Sequence, residues 1–247
     1  MKKLLYILLI SAFISCESVT DCFQSEGSLV QEEVTGLASF TRILVNRDVE
    51  LILTDGPVEQ VTIETGDNLI DGVTAVVSNG ELILTDDNTC NYTRDYNVTK
   101  VYVTAPNITE IRSSTQFPVR SQGTLTYPEL RLISEDDTNS DFNNVGDFYL
   151  DLNLDRLTVT NNNHSNYFIS GTANYARIVF VSGGGRFEGA NFLSQEVSIL
   201  HRGYNDMIVN PIADINGEIR STGDVRAQNQ PPAVAVEEFY TGRLIFE

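Results

Sequence analysis

Residues 180–201 read FVSGGGRFEGANFLSQEVSILH. The segment opens on Phe180-Val181-Ser182, turns through Gly183-Gly184-Gly185 and closes on Ile199-Leu200-His201, a second apolar pair followed by a polar residue. The same motif occurs at Ile111-Arg112-Ser113, Leu132-Ile133-Ser134, Thr158-Val159-Thr160 and Ile219-Arg220-Ser221. Its last positions, 113, 134, 160, 182, 201 and 221, are separated by 21, 26, 22, 19 and 20 residues. No helical period fits between the strands, so the connections are turns, and strands repeating near twenty residues are expected to stack in register as a parallel β-solenoid. The long interval between 134 and 160 leaves room for an insertion around residues 141–155. A β-sandwich with irregular loops is the competing architecture.

Upstream of residue 105 the order differs. Val49 to Thr54 runs into Asp55-Gly56-Pro57 and resumes as Val61 to Glu64, while Val73 to Val77 meets Asn79-Gly80 and resumes as Leu82 to Thr85. Alternating runs joined by Asp-Gly or Asn-Gly predict β-hairpins. Residues 37–105 are therefore read as hairpin-rich and 106–227 as solenoid repeats, together one β domain. Residues 228–247 follow as a linker, Asn229 to Val236 with Pro231-Pro232, and a capping strand from Phe239 to Phe246.

Composition agrees with an all-β chain of 247 residues. Val, Ile and Thr abound, Trp is absent, and 41 % of residues are hydrophobic, enough for a core. Sixteen Lys and Arg against 34 Asp and Glu give a net charge of −18. Only Lys2, Lys3 and Lys100 supply ammonium groups, so the basic patch that grips a nucleic-acid backbone is missing.

Lys2 and Lys3 precede eleven apolar or small residues, Leu4 to Ile14, too few to span a bilayer and the right number for a signal-peptide core. The run ends at Ser15-Cys16, similar to the lipobox of bacterial lipoproteins, which predicts cleavage after Ser15, lipidation of Cys16 and attachment to the cell envelope, at the outer membrane. Residues 1–15 are then the signal peptide and 16–36 a tether. Removing two lysines leaves 14 basic against 34 acidic residues, a charge of −20. With Cys16 acylated, Cys22 and Cys90 remain as an even pair in an oxidising compartment. A bridge between them is expected to contribute roughly 4 kcal/mol by loop closure; two unpaired thiols are the alternative.

The order of these features resembles the putative auto-transporter adhesin, head GIN domain family, found among exported bacterial lipoproteins. The residues that carry the resemblance are Phe40 to Ile43, the Val49 to Leu53 run, Asn79 to Ile83, Val101 to Ile108, and the later strand-and-Ser repeats, including Val181 to Gly185 and Ser221 to Asp224. Pairs like Asp21-Cys22-Phe23 and Cys90-Asn91-Tyr92 recur in some lipoprotein members. The resemblance implies a right-handed parallel β-helix, similar in shape to pectate-lyase folds, a proposed role in adhesion, and no assigned catalytic residues.

Chemistry is sparse. His164 and His201 sit in or beside turns, there is no Gly-x-Ser-x-Gly elbow, and Cys and His lack zinc-ligand spacing. No cofactor is called for. Glu135, Asp136, Asp137 and Asp141 offer hard oxygens for calcium. Counting four residues beyond each repeat places Thr138, His164, Arg186 and Asn205 along one edge, with Tyr167 and Tyr204 nearby, a pattern suited to glycan contact. The leading functional reading is a non-enzymatic surface module that binds a glycan or surface protein. The alternative is a calcium-dependent, pectate-lyase-like enzyme.

Overall fold

The computed structural model describes residues 21–88, 91, 92, 94–96, 98–135 and 144–247. Cys16, Cys90, Asp136, Asp137, Thr138 and Asp141 lie outside the described residues. The described strands form one 17-stranded sheet, curled around an apolar core.

Two ladders make up that sheet. The first contains β5 (Val73–Ser78), β6 (Glu81–Asp86), β2 (Arg42–Val45), β8 (Glu110–Ser113) and β10 (Glu129–Ser134) in that spatial order. The second runs from β1 (Leu29–Glu33) through β4 (Gln60–Gly66), β7 (Lys100–Ala105), β3 (Glu50–Asp55) and β9 (Val119–Leu125). Four long strands then join the ladders: β11 (Phe148–Asn161), β12 (Tyr167–Phe180), β13 (Phe187–His201) and β14 (Met207–Ile219). Their first halves extend the second ladder and their second halves the first. Beyond β14, β16 (Ala233–Glu238) closes the first ladder, while β15 (Val225–Ala227) and β17 (Leu244–Phe246) close the second.

A right-handed parallel β-helix with a hairpin-rich start is therefore not what this chain builds. The architecture is a curled half-barrel of mixed strands. Pairings β1–β4, β4–β7 and β5–β6 are antiparallel, and order in space departs from order in sequence, since β2 lies between β6 and β8 and β3 between β7 and β9. Both edges of β3 are thus occupied. β4 cannot fold back on it as the Asp55-Gly56-Pro57 turn suggests, and instead takes the free edge of β7. The Asn79-Gly80 hairpin does form: Asn79 and Gly80 both have positive φ, 50° and 73°, as a tight turn matched to the strand twist requires. At the C-terminus, β16 runs through the stretch read as a linker, and the final strand spans only Leu244–Phe246.

Inward positions alternate with outward ones. Leu51, Val119, Phe148, Tyr167, Phe187, Met207 and Val225 form one buried column across the second ladder; Ile43, Ile111, Leu132, Val159, Ile178 and Ile199 form one across the first. Every fully buried aliphatic side chain stabilises the fold by about 1.5–3 kcal/mol relative to exposure. Where the first ladder turns toward the second, the interior becomes polar. Ser134 and Ser165, both fully buried, face each other at 2.8 Å between their hydroxyl oxygens.

Candidate functional site

The spacing of Phe148-Tyr149 and Tyr167-Phe168 matches one step of the parallel register, so the inner rings of Phe148 and Tyr167 pair inside while Tyr149 and Phe168 pair outside. Strands lie about 4.8 Å apart, which is the stacking distance of two flat rings. The outer rings stack with centroids 4.7 Å apart and planes 6° from parallel.

On the other side of Tyr149 stands Arg120, its guanidinium carbon 4.3 Å from the ring centroid. Glu50, a buried acid on β3, accepts the Arg120 Nε–H at 2.9 Å and fixes the guanidinium over the ring. The outward column continues in both directions, through Ile52 to Tyr102 and through Glu188 and Ile208 to Arg226. Arg186 donates to Glu188 Oε1 at 2.7 Å; Arg226 bridges Asp206 at 2.9 Å and Glu247 at 2.8 Å. Exposed pairs of this kind contribute little stability. Their effect here is positional, since they hold long side chains flat along the ladder.

The phenols of the column are hydrogen-bond donors throughout the neutral range. Tyr149 O–H donates to Asp147 Oδ2 at 3.4 Å and Tyr102 O–H to Glu64 Oε1 at 3.2 Å. Desolvation raises both pKa values, reinforced by the neighbouring carboxylates, with Arg120 opposing at Tyr149. The face combines ring edges, aliphatic surface and fixed charges in a row.

Two other concavities are lined by polar groups that bond to one another. A cavity of about 260 Å³ near Asp48, Asp86 and Arg94 has Asp86 accepting from Asn88 N–H at 2.8 Å and from Thr99 Oγ1 at 2.6 Å, while Gln116 donates to Asp48. Burial raises the Asp48 carboxyl above its ordinary value, opposed by the Gln116 hydrogen bond. A groove of about 520 Å³ follows the bend of the long strands, where Thr172 donates to Asn153 at 2.9 Å and Asn174 to Asp155 at 2.8 Å.

The described residues among those expected from the repeat do not line up along one edge. Arg186 precedes Phe187, which pairs with Met207 and Tyr167, so Arg186 is level with Asp206 and Asn166 and not with Asn205 and His164. Tyr167 is fully buried, whereas Tyr204 is 57 % exposed and His164 is exposed. Asn205 donates to the Gly184 carbonyl at 2.5 Å. Of the calcium candidates only Glu135 is described, and its backbone carbonyl accepts a hydrogen bond from Asn144. Among the described residues no group of three or more His, Cys, Asp or Glu is placed to hold a metal. Among the described members of that set, Arg186 reaches the outer column, through Glu188. Tyr149 and Phe168 went unselected in the sequence, although two consecutive aromatic pairs nineteen residues apart were the available signal.

The architecture is that of an all-β domain whose solvent-facing chemistry is spread along a strand ladder. The chain belongs to the family described as putative auto-transporter adhesin, head GIN domain, whose model matches residues 39–231. Solved structures share the fold. A putative adhesin from Bacteroides fragilis superposes with a TM-score of 0.79 at 18 % identity, covering 91 % of this chain and 100 % of that one. A putative lipid binding protein from Parabacteroides distasonis gives 0.62 at 12 % identity, covering 91 % and 99 %. A putative adhesin from Parabacteroides merdae gives 0.61 at 13 %, covering 91 % and 98 %. No curated protein matches the sequence. Membership of an adhesin-type family points to an exported or surface protein, and among the described residues no helix is long and apolar enough to cross a membrane.

Proposed function

We propose that the protein is a non-enzymatic binding module of the cell envelope, tethered through lipid on Cys16 and making contact through the outer face of the second ladder. The observation that carries this reading is the Arg120–Tyr149–Phe168 column, in which charge, ring and ring are stacked on solvent-facing positions of consecutive strands. Large aromatics held rigid outside a core offer contact area at little cost in side-chain freedom. The Ser15-Cys16 site and the adhesin-type family support export and anchoring. A surface glycan or surface protein is the partner class; the net charge of −18 disfavours anionic lipid and nucleic acid.

A bridge between Cys22 and Cys90 belongs to the same proposal. Tyr92 N–H donates to the Cys22 carbonyl at 3.0 Å, and the rings of Phe23 and Tyr92 lie 5.7 Å apart, so the chain just after each cysteine is already side by side.

The test is fractionation and retention of intact cells. Cys16→Ser should move the protein from the membrane to the soluble fraction, and cells carrying the wild-type protein should be retained on a ligand-coated surface more than cells carrying Arg120→Ala with Tyr149→Ala. Unchanged fractionation would remove the anchor from this reading. Equal retention of both strains would remove the face.

A further inference from the structure

We propose that the Phe168 ring, where Tyr149 leaves it open, forms one wall of a binding subsite for a neutral pyranose. The inference deepens the binding-module reading and rests on it. One face of the Phe168 ring is covered by Tyr149, yet the residue remains 39 % exposed. Its other neighbour in the ladder is Glu188, whose side chain borders the second side of the ring and is tied to Arg186. Beside it lies a concavity of about 350 Å³ lined by Phe168, Ser170, Glu188, Ala190 and Asn191.

A defect in the ladder forms this hollow. Between Phe168 and Gly171 β12 takes three steps, whereas β13 takes four, from Glu188 to Phe192. On its other edge β13 takes five steps, Glu188 to Leu193, against two on β14, Ile208 to Asn210. The extra residues swing Ala190 and Asn191 out of the regular pleat, and Asn210 pins the bulge by donating to the Ala190 carbonyl at 2.9 Å. Bulges re-aim side chains and interrupt pairing, which is how a flat ladder acquires a wall.

The lining fits one ligand chemistry. A ring face of Phe accepts the C–H face of a sugar, while the equatorial hydroxyls at the rim need acceptors and donors in the ring plane. Arg186 holds Glu188 through Oε1, which leaves the second carboxylate oxygen to accept sugar hydroxyls. The Asn191 amide supplies donor and acceptor together. Ser170 donates to Asp151 Oδ1 at 3.0 Å and retains lone pairs to accept. With Glu188 in the lining, Asp151 bonded to Ser170 and −18 on the whole chain, a uronate or sialate is repelled; the ligand is neutral.

The experiment is saturation-transfer NMR on the full chain with glucose, galactose, mannose and N-acetylglucosamine oligosaccharides, and with phosphatidylcholine vesicles as a separate arm. Expected are transfer to the C–H protons of a single sugar face, a loss of affinity of about tenfold or more for Phe168→Ala, retention for Phe168→Trp, and weakening for Glu188→Gln. Phe168 lies outside the core, so an unchanged melting curve shows that the Ala variant is folded. Absence of transfer from every sugar, equal binding by Phe168→Ala, or Phe168-dependent binding to vesicles alone would overturn the subsite. Cell retention that persists in Phe168→Ala while sugars fail would discard the pyranose and keep the binding module. Loss of retention in the Arg120 and Tyr149 variant with no sugar binding would do the same.

Discussion

Phe148 and Tyr167 lie inside the sheet with ring centroids 4.7 Å apart and planes 5° from parallel, nearly the geometry that Tyr149 and Phe168 repeat on the outside one residue later. The two stacks share the same pair of strands but face different surroundings. The inner one is closed off from water and carries stability; the outer one is open to solvent.

Tyr167→Ala is expected to cost about 3–5 kcal/mol, the range for deleting a buried aromatic side chain. Tyr167→Phe removes only the hydroxyl, which donates to Asn161 Oδ1 at 3.4 Å, and should cost about 1 kcal/mol. Urea unfolding of the two variants separates the packing from the hydrogen bond. Equal losses would mean that the ring stack contributes nothing.

Gly171 has φ +103°, and a Cβ there would overlap the Leu152 carbonyl of the neighbouring strand. Gly80 also has positive φ, +73°, but nothing lies within 4 Å of its would-be Cβ. Gly171→Ala should therefore cost about 2–3 kcal/mol and Gly80→Ala about 1 kcal/mol. Thermal melting of both variants checks the order.

His201 is fully buried, with Nε2–H donating to the Asn205 carbonyl at 2.8 Å and Nδ1 unpartnered. Burial lowers its pKa from 6.5, while the Asn205 carbonyl, Asp206 and Asp224 oppose the shift. The unfolded chain then binds the proton more readily than the folded one. The stability due to neutral His201 is complete above about pH 6.5 and is lost as pH falls through the lower folded value. Urea midpoints should drop between pH 7.5 and 5.5, a window above most carboxylate titration, and His201→Phe should flatten that drop. A wild-type midpoint independent of pH there would contradict the buried neutral ring.

Replacing Cys90 by Ser should expose residues 22–28 to protease while leaving the unfolding midpoint of the sheet nearly unchanged, because β1 stays paired with β4 and the long strands β11–β14 pair with one another and not with that loop. Peptide mapping after brief proteolysis reads the first effect and a urea melt the second. Protection equal to that of the wild type would show that the backbone contact at Tyr92 holds the segment by itself.

Local chemistry in the sequence was enough for some elements and silent on others. The Asn79-Gly80 hairpin was legible because the residues that enforce the turn are adjacent. Asp55-Gly56-Pro57 gives a similar local signal, but the partner of β4 depends on β7 and β9 having already taken both edges of β3, and no nearby residue records that. The repeat was visible while its phase was not. Ser134 pairs with Asn161, Asn161 with Phe180, Phe180 with His201 and His201 with Ile219, so the reading was one residue early at Thr160 and two late at Ser182 and Ser221. That small error is what scattered the proposed edge of His164, Arg186 and Asn205. Tyr167, placed at that edge by the repeat, alternates with Phe168 and lies inside. The hollow beside Phe168 depends on bulges in β13, which leave no mark in composition.

Alternation at the start of each of β11–β14 has a consequence for how such a chain can change. A substitution at Tyr149, Phe168, Glu188 or Ile208 alters what the surroundings meet, while Phe148, Tyr167, Phe187 and Met207, one position earlier on each strand, keep the interior volume constant. Specificity and foldedness are thereby inherited through separate sets of positions. The outer row can be rewritten one strand at a time while the inner row that fills the core is left as it is.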